Sequence, residues 1–246
     1  MRKAIAIAIP LALGLIGSYI LLIAPYDGPH YKGHTLYHWL SIEIKTNTDL
    51  VTPAQADEAF KAAMEIGTNG IPWLVSCVRN TSASSRHKLI GLVHKLPPLL
   101  NPGHFICNHL PGKESEYRSS LAIEGFRLLG TNAAPALPDL CAIMNATNSI
   151  AACDAATIAI AHLGRYGLPP LIAVLDNTNH HQRRMAAGVI GSIMWALGTN
   201  VAPAIPSLTR CTRDPDRRLA VEAESALDLL TQGGRATAAP TNAPPQ

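Results

Sequence analysis

A six-residue signature recurs along this chain at a nearly constant interval, and no other feature restricts its folding as much. Gly67-Thr68-Asn69-Gly70-Ile71-Pro72 is matched by Gly130-Thr131-Asn132-Ala133-Ala134-Pro135 and by Gly198-Thr199-Asn200-Val201-Ala202-Pro203. Gly164-Arg165-Tyr166-Gly167-Leu168-Pro169 is a looser copy. The leading glycines at 67, 130, 164 and 198 stand 63, 34 and 34 residues apart, so the first gap is close to two periods. One unit between Pro72 and Gly130 is therefore expected to have lost its signature, and a further stop is expected at Gln232-Gly233-Gly234. A fixed period of this length marks an array in which each unit covers its neighbour.

Each part of the signature has its own physical role. Gly follows a helical pattern, where the chain commonly needs a left-handed conformation that Gly reaches at little cost. Asn two positions on can cap the next helix, and Pro suits a first helical turn, where its missing N–H is not needed. The signature therefore reads as a helix stop joined to a helix start. Between copies the apolar spacing is helical: Ala186, Val189, Ile190, Ile193 and Leu197 share one face. Ala152, Ala155, Ala156, Ala159 and Leu163 lie one period earlier, and Ala220, Ala223, Ala226, Leu227 and Leu230 one period later. Shorter helices such as Leu137-Pro138-Asp139-Leu140-Cys141-Ala142-Ile143-Met144 follow the prolines. Polar turns such as Asp176-Asn177-Thr178-Asn179 and Arg213-Asp214-Pro215-Asp216 divide the two. A composition of 48% hydrophobic but only 5% aromatic residues suits close-packed helices rich in Ala.

The run Ala202-Pro203-Ala204-Ile205-Pro206-Ser207-Leu208, the turn Asp214-Pro215-Asp216 and the helix opening Arg217-Arg218 resemble a HEAT repeat. The copy from Pro169 to Gly198 has Asp176 at its turn and Arg183-Arg184 opening its second helix. The copy after Gly130 departs, with Asn145 at the turn and no opening arginine. Ahead of the repeats, Tyr31, Gly33, Leu36, Trp39 and Leu40 form a Tyr-x-Gly-x-x-Leu-x-x-Trp-Leu opening. It is similar to the opening of uncharacterised bacterial membrane-anchored HEAT proteins. The resemblance implies an all-α fold, an α-solenoid of about five stacked helical hairpins with second helices lining its inner surface. Leu36, Trp39 and Leu40 make an apolar face suited to covering the first repeat, whose stacking side would otherwise be open.

Ala4 to Ala24 are 21 consecutive uncharged residues, long enough as a helix to cross a bilayer core of about 30 Å. With Arg2 and Lys3 ahead of it, the expected orientation in an inner membrane is N-terminus inside and solenoid on the periplasmic side. The alternative is a signal peptide followed by secretion, which the Leu22-Ile23-Ala24-Pro25 exit disfavours. The expected organisation is 1–25 cytoplasmic stub and anchor, 26–52 tether and capping helix, 53–231 solenoid and 232–246 disordered tail, the last by composition.

Twenty Lys and Arg stand against 17 Asp and Glu, and two of the basic residues precede the apolar start. The body is nearly neutral, which argues against a nucleic-acid partner. The five cysteines, Cys77, Cys107, Cys141, Cys153 and Cys211, form no CxxC pair and read as buried apolar groups. Two histidine groups are candidate metal ligands: His30, His34 and His38, which Pro29 and Gly33 interrupt, and His104, Cys107 and His109, which lack a fourth ligand. Neither matches a metal motif, so no metal and no cofactor is expected, and no nucleophile elbow, phosphate loop or dinucleotide fingerprint occurs.

The chemistry of interest lies on the side of each second helix away from the core. Before Gly198 that side carries Arg184, Gly188, Gly191 and Trp195; one period later it carries Arg218, Glu222, Ser225 and Leu229, and one period earlier Ile150, Asp154, Thr157 and Ala161. The expected function is non-catalytic: a scaffold at a bacterial membrane that captures a protein or peptide along the concave surface. Trp195 would be its anchor, with Arg184 and Arg218 as partners for acids. Trp195 packed inside the stack and the arginines merely solvated is the competing reading. The alternatives at the level of the whole protein are a HEAT-like enzyme of lyase or metal-assisted type, as phycobilin lyases are, and a purely structural envelope component.

Overall fold

A computed structural model describes residues 27–45, 51–81, 112–146, 148–194 and 196–236, without the side chains of 112–114 and 232–236. The described chain is mostly helical. Its first element is a departure from pure helix: strands β1 (His30–Tyr31) and β2 (His34–Thr35) pair antiparallel across the two-residue turn Lys32-Gly33. Lys32 and Gly33 have φ of 47° and 80°. Positive φ at both central residues is the type I′ geometry, whose twist matches that of the strands it joins. Helix α1 (Leu36–Lys45) follows at once, with Thr35 Oγ1 accepting the His38 amide at 3.3 Å. Trp39 donates its indole N–H to the Tyr31 carbonyl at 3.2 Å, fastening the hairpin to the helix. The Tyr31 to Leu40 opening is thus one unit, with Leu36, Trp39 and Leu40 all buried.

Helix α2 (Pro53–Ile66) begins with a capping box, Thr52 Oγ1 accepting the Gln55 amide and Gln55 Oε1 accepting the Thr52 amide. It ends at Gly67, whose φ of 53° and ψ of −135° are closed to side chains that the left-handed helical region would admit. Gly130, Gly164 and Gly198 share the positive φ, at 51°, 57° and 67°. After three of these glycines the chain runs directly through a 3-10 turn, over Gly67–Gly70, Gly130–Ala136 and Gly164–Tyr166. After Gly198 the corresponding turn is Ala202–Ala204, where Asn200 Oδ1 accepts the Ala202 amide at 3.2 Å. Each turn feeds a short helix with Pro in its first two positions: α3 (Ile71–Arg79), α5 (Leu137–Met144), α7 (Leu168–Asp176) and α9 (Ile205–Cys211).

The second helices are α4 (Gly112–Leu129), α6 (Ile150–His162), α8 (Arg183–Val189, continued as a π turn over Ile190–Met194) and α10 (Arg217–Ala236). Packing follows chain order. α1 lies on α2, α3 on α4, α5 on α6, α7 on α8 and α9 on α10. The second helices also touch in series, α2 to α4, α4 to α6, α6 to α8 and α8 to α10, while α3 touches α5 and α7 touches α9. One apolar cluster runs through all of these contacts, from Leu36 to Ala226. Its alanines, among them Ala59, Ala62, Ala156, Ala159, Ala186 and Ala223, let the helix backbones come close. Its larger members, such as Phe126, Leu74 and Leu140, are worth about 1.5–3 kcal/mol each.

Two expectations need correcting. Across the long gap between Pro72 and Gly130, α3 packs directly on α4, α5 and α6, which departs from two full units set in series. The unit expected there falls on residues 82–111, outside the described residues. Gly233-Gly234 does not end the array, since α10 runs through both glycines to Ala236. A helical Gly costs only about 1 kcal/mol and ends nothing unless packing requires the chain to turn there. Among the described residues no helix is long and apolar enough to cross a membrane. The expected anchor over 4–24 lies outside them.

Candidate functional site

Counting back from each leading glycine, and for α10 from Gln232 one period after Gly198, positions fourteen, ten, seven and three residues earlier define one stripe on every second helix. It reads Pro53, Asp57, Phe60 and Met64 on α2, then Glu116, Ser120, Ile123 and Arg127 on α4. On α6 it is Ile150, Asp154, Thr157 and Ala161, on α8 Arg184, Gly188 and Gly191, and on α10 Arg218, Glu222, Ser225 and Leu229. Trp195, the expected anchor, lies outside the described residues. The stripe is uneven in depth. Phe60, Met64 and Ile150 are exposed, the last at 72%, whereas Thr157, Ala161 and Gly191 are buried. On α6 the stripe is thus covered at Thr157 and Ala161, half-buried at Asp154 and open at Ile150.

Where α6, α8 and α10 meet, the stripe sinks into a cleft of about 360 Å³. Arg184, Gly188, Gly191, Glu222, Ser225 and Leu229 line it, six residues that the repeat register singles out. Ile158, Met185, Val189, Ser192, Ile193 and Ala226 complete the wall, and of these sequence reasoning passed over Ile158, Met185 and Ser192. They lie just off the stripe, and only the crossing of three helices turns them toward it. The two glycines permit that crossing. A Cβ on Gly191 would stand 2.6 Å from both Cα and Cβ of Ala226, and one on Gly188 would stand 2.6 Å from Glu222 Oε1. Ser192 donates to the Gly188 carbonyl at 2.6 Å, which satisfies its hydroxyl within α8.

Electrostatics distinguish the turn end of the cleft. From Asp176 to Glu222 the chain carries six arginines against three aspartates and one glutamate. Arg183 pairs with Asp214 at 2.6 Å and Arg210 with Asp176 at 2.5 Å. The Asp214 carboxyl is held below its ordinary range, first by the Asp216 amide and then by Arg183. Asp154 accepts from Gln182 at 3.0 Å. Arg184 and Arg218 are both exposed, and neither they nor Arg213 and Arg217 form an ion pair among the described residues. Gln182, only 2% exposed, also accepts from Thr157 at 3.3 Å and donates its amide to His180 Nδ1 at 3.1 Å.

The titratable groups weighed for catalysis or metal binding are not gathered into a site. His34 and His38 stack with ring centroids 4.3 Å apart, but His30 sits on β1 and no set of three ligands forms among the described residues. His104, Cys107 and His109 lie outside the described residues. Cys77, Cys153 and Cys211 are buried and Cys141 half-buried, all as free thiols. Burial pushes the Cys77 thiol up to about 11 and raises the other three, so all four stay protonated and poorly nucleophilic near neutral pH.

Comparison with protein-family profiles, with curated proteins and with solved structures returns no match for this chain.

Proposed function

We propose that this protein is a HEAT-type α-solenoid of five helical hairpins, α1–α2 to α9–α10, that binds a protein or peptide partner along its second-helix face and catalyses nothing. Hairpins packed in chain order over one shared apolar cluster favour a solenoid, since such units cannot bury their own faces alone. The observation that carries the binding role is the cleft between α6, α8 and α10, walled by residues of the repeat stripe and opening beside Arg184 and Arg218, which form no ion pair among the described residues. A concave site with an apolar floor and a few convergent polar groups is the usual form of a recognition site. Residues 4–24 would hold the solenoid at the periplasmic side of an inner membrane, on the strength of their unbroken apolar length behind Arg2 and Lys3.

Photo-crosslinking in intact cells tests this reading. A photoreactive side chain at Ser192 or Leu229 is expected to capture one discrete protein, while the same group at Thr209 on α9 captures none. Equal labelling from both positions, or none from either, would remove the binding role. Alkaline extraction of the membrane fraction tests the anchor, which requires the chain to stay with the lipid.

A further inference from the structure

We infer that the cleft between α6, α8 and α10 takes an acidic peptide segment of a partner protein, with carboxylates at Arg184 and Arg218 and one apolar side chain seated between Ile158, Met185 and Leu229. The inference rests on the binding role proposed above and names its partner's chemistry.

The argument is one of charge complementarity. Around the turn end of the cleft Asp214 is engaged by Arg183, Asp176 by Arg210 and Asp154 by Gln182, while Asp216 caps the Arg218 amide and Glu222 stands in the wall. Six arginines face these five carboxylates, and Arg184 and Arg218 form no ion pair among the described residues. Arg184 lines the cleft itself, and Arg218 lies one turn before Glu222 on α10, with Arg213 and Arg217 flanking it. Arg184 and Arg218 are also equivalent in the 34-residue register, so adjacent helices present them in parallel. Guanidinium pairs carboxylate in a planar two-bond geometry that an exposed, unpaired side chain leaves available.

The rest of the cleft selects a peptide over other anions. Glu222 sits in the wall, with its carboxylate beside Gly188, so an anion is admitted only with a neutral stretch against Glu222 and its charges at Arg184 and Arg218, which a polyphosphate chain does not offer. No aromatic ring among the described lining residues offers a stacking surface for a base. The floor is aliphatic, and 360 Å³ is room for one side chain with its backbone rather than for a lipid tail. Over the whole chain the charge is only +3, too little to attract a nucleic acid by field alone.

The test is selection from a random dodecapeptide phage library on the full chain held in phosphatidylcholine nanodiscs. Enriched peptides should carry net negative charge with an aliphatic or aromatic residue between acids. Affinity of the best should fall at least tenfold with Arg184→Glu and with Arg218→Glu, less with Arg184→Gln, and not at all with Arg165→Glu. Circular dichroism of each variant should match the parent, because both arginines are exposed. Enrichment of neutral or basic peptides overturns the acidic preference. So does binding that ignores Arg184 and Arg218, or binding of phosphatidylglycerol vesicles through those arginines in place of peptide. If neutral peptides are enriched and still label Ser192, the binding role survives and the present inference fails. If nothing is enriched and photo-crosslinking is also empty, both fail.

Discussion

Arg183 and Asp214 meet at 2.6 Å across two successive hairpins, with only 12% and 13% of their side chains exposed. Arg183 also donates through Nε to the Leu175 carbonyl at 3.1 Å, so one guanidinium joins the end of α7, the start of α8 and the turn before α10. A pair this well covered is harmed most by removing one partner, which leaves the other buried and uncompensated. Arg183→Ala should lower stability by about 2 kcal/mol. Removing Arg210 from its pair with Asp176, which is largely exposed, should change stability by less than about 0.5 kcal/mol. Urea unfolding of the two variants side by side measures the contrast; equal effects would mean that the first pair is not the coupling point.

His180 does for its turn what Asp214 does one period later. His180 Nδ1 accepts the Gln182 amide at 3.1 Å, and Asp214 Oδ1 accepts the Asp216 amide at 3.0 Å. Accepting at Nδ1 leaves the proton on Nε2, which lies 2.8 Å from Asn145 Oδ1. Charging the ring would destroy the acceptor. Burial, and then the stacked His181, lower the His180 pKa below its ordinary 6.5. Burial first also lowers His162 and His38. Groups with depressed folded values of this kind bind fewer protons folded than unfolded. Their contribution is intact above pH 6.5 and is lost as pH falls through 6.5 toward the folded values. Thermal midpoints should therefore drop between pH 7.5 and pH 5. His180→Asn, which can accept the Gln182 amide at any pH as Asn177 does for Asn179, should shrink that drop. An unchanged drop would place the effect at the other histidines.

Gly67 and Gly191 should fail for different reasons when changed to Ala. Around Gly67 a Cβ would meet nothing within 4 Å, so the penalty comes from its backbone angles alone and should be about 1–3 kcal/mol. Asn should not rescue it, because ψ of −135° lies far from the left-handed helical region that Asn tolerates. At Gly191 the backbone is helical and the obstacle is Ala226. Gly191→Ala should therefore push α10 away and alter peptide affinity as well as stability, whereas Gly67→Ala should alter stability only. Titration of a selected peptide against both variants separates the two.

Lys32 is the one non-glycine residue with positive φ among the described residues. Its ammonium lies 3.2 Å from Glu58, in a pair more than half exposed on both sides. An exposed pair is worth about 0.2–1 kcal/mol, and an L residue in the left-handed region loses about 1–2 kcal/mol. Lys32→Asn, which suits the first position of a type I′ turn, should be neutral or raise the unfolding midpoint slightly. A clear loss of stability would show that the ion pair outweighs the strain.

Much of the local structure can be read from particular residues. The glycines at 67, 130, 164 and 198 mark chain reversals because each adopts a positive φ that few other residues would. Leu36, Trp39 and Leu40 are legible as a buried face because their spacing is helical. The stripe from Arg184 to Leu229 follows from the 34-residue register alone. Other features escape such reading. The Lys32-Gly33 turn carries no apolar alternation long enough to announce a strand, and His180 looks like any surface histidine until Gln182 and Asn145 are placed around it.

Helix identity, order and most boundaries were written in the chain, since propensity, capping and period act between residues close in sequence; the end of α10 was not, because Gly233 and Gly234 stay helical. Depth was not. Thr157 and Gly191 occupy the same stripe as Ile150 and Leu229, yet the first two are buried and the last two exposed. For Gly191 the depth is set by how closely α8 approaches α10, through its contact with Ala226, 35 residues apart, and for Thr157 by a covered site where its hydroxyl meets Cys153 and Gln182. Which of the described arginines lack an ion pair was settled in the same way, because such a pair forms only where packing brings its two ends together.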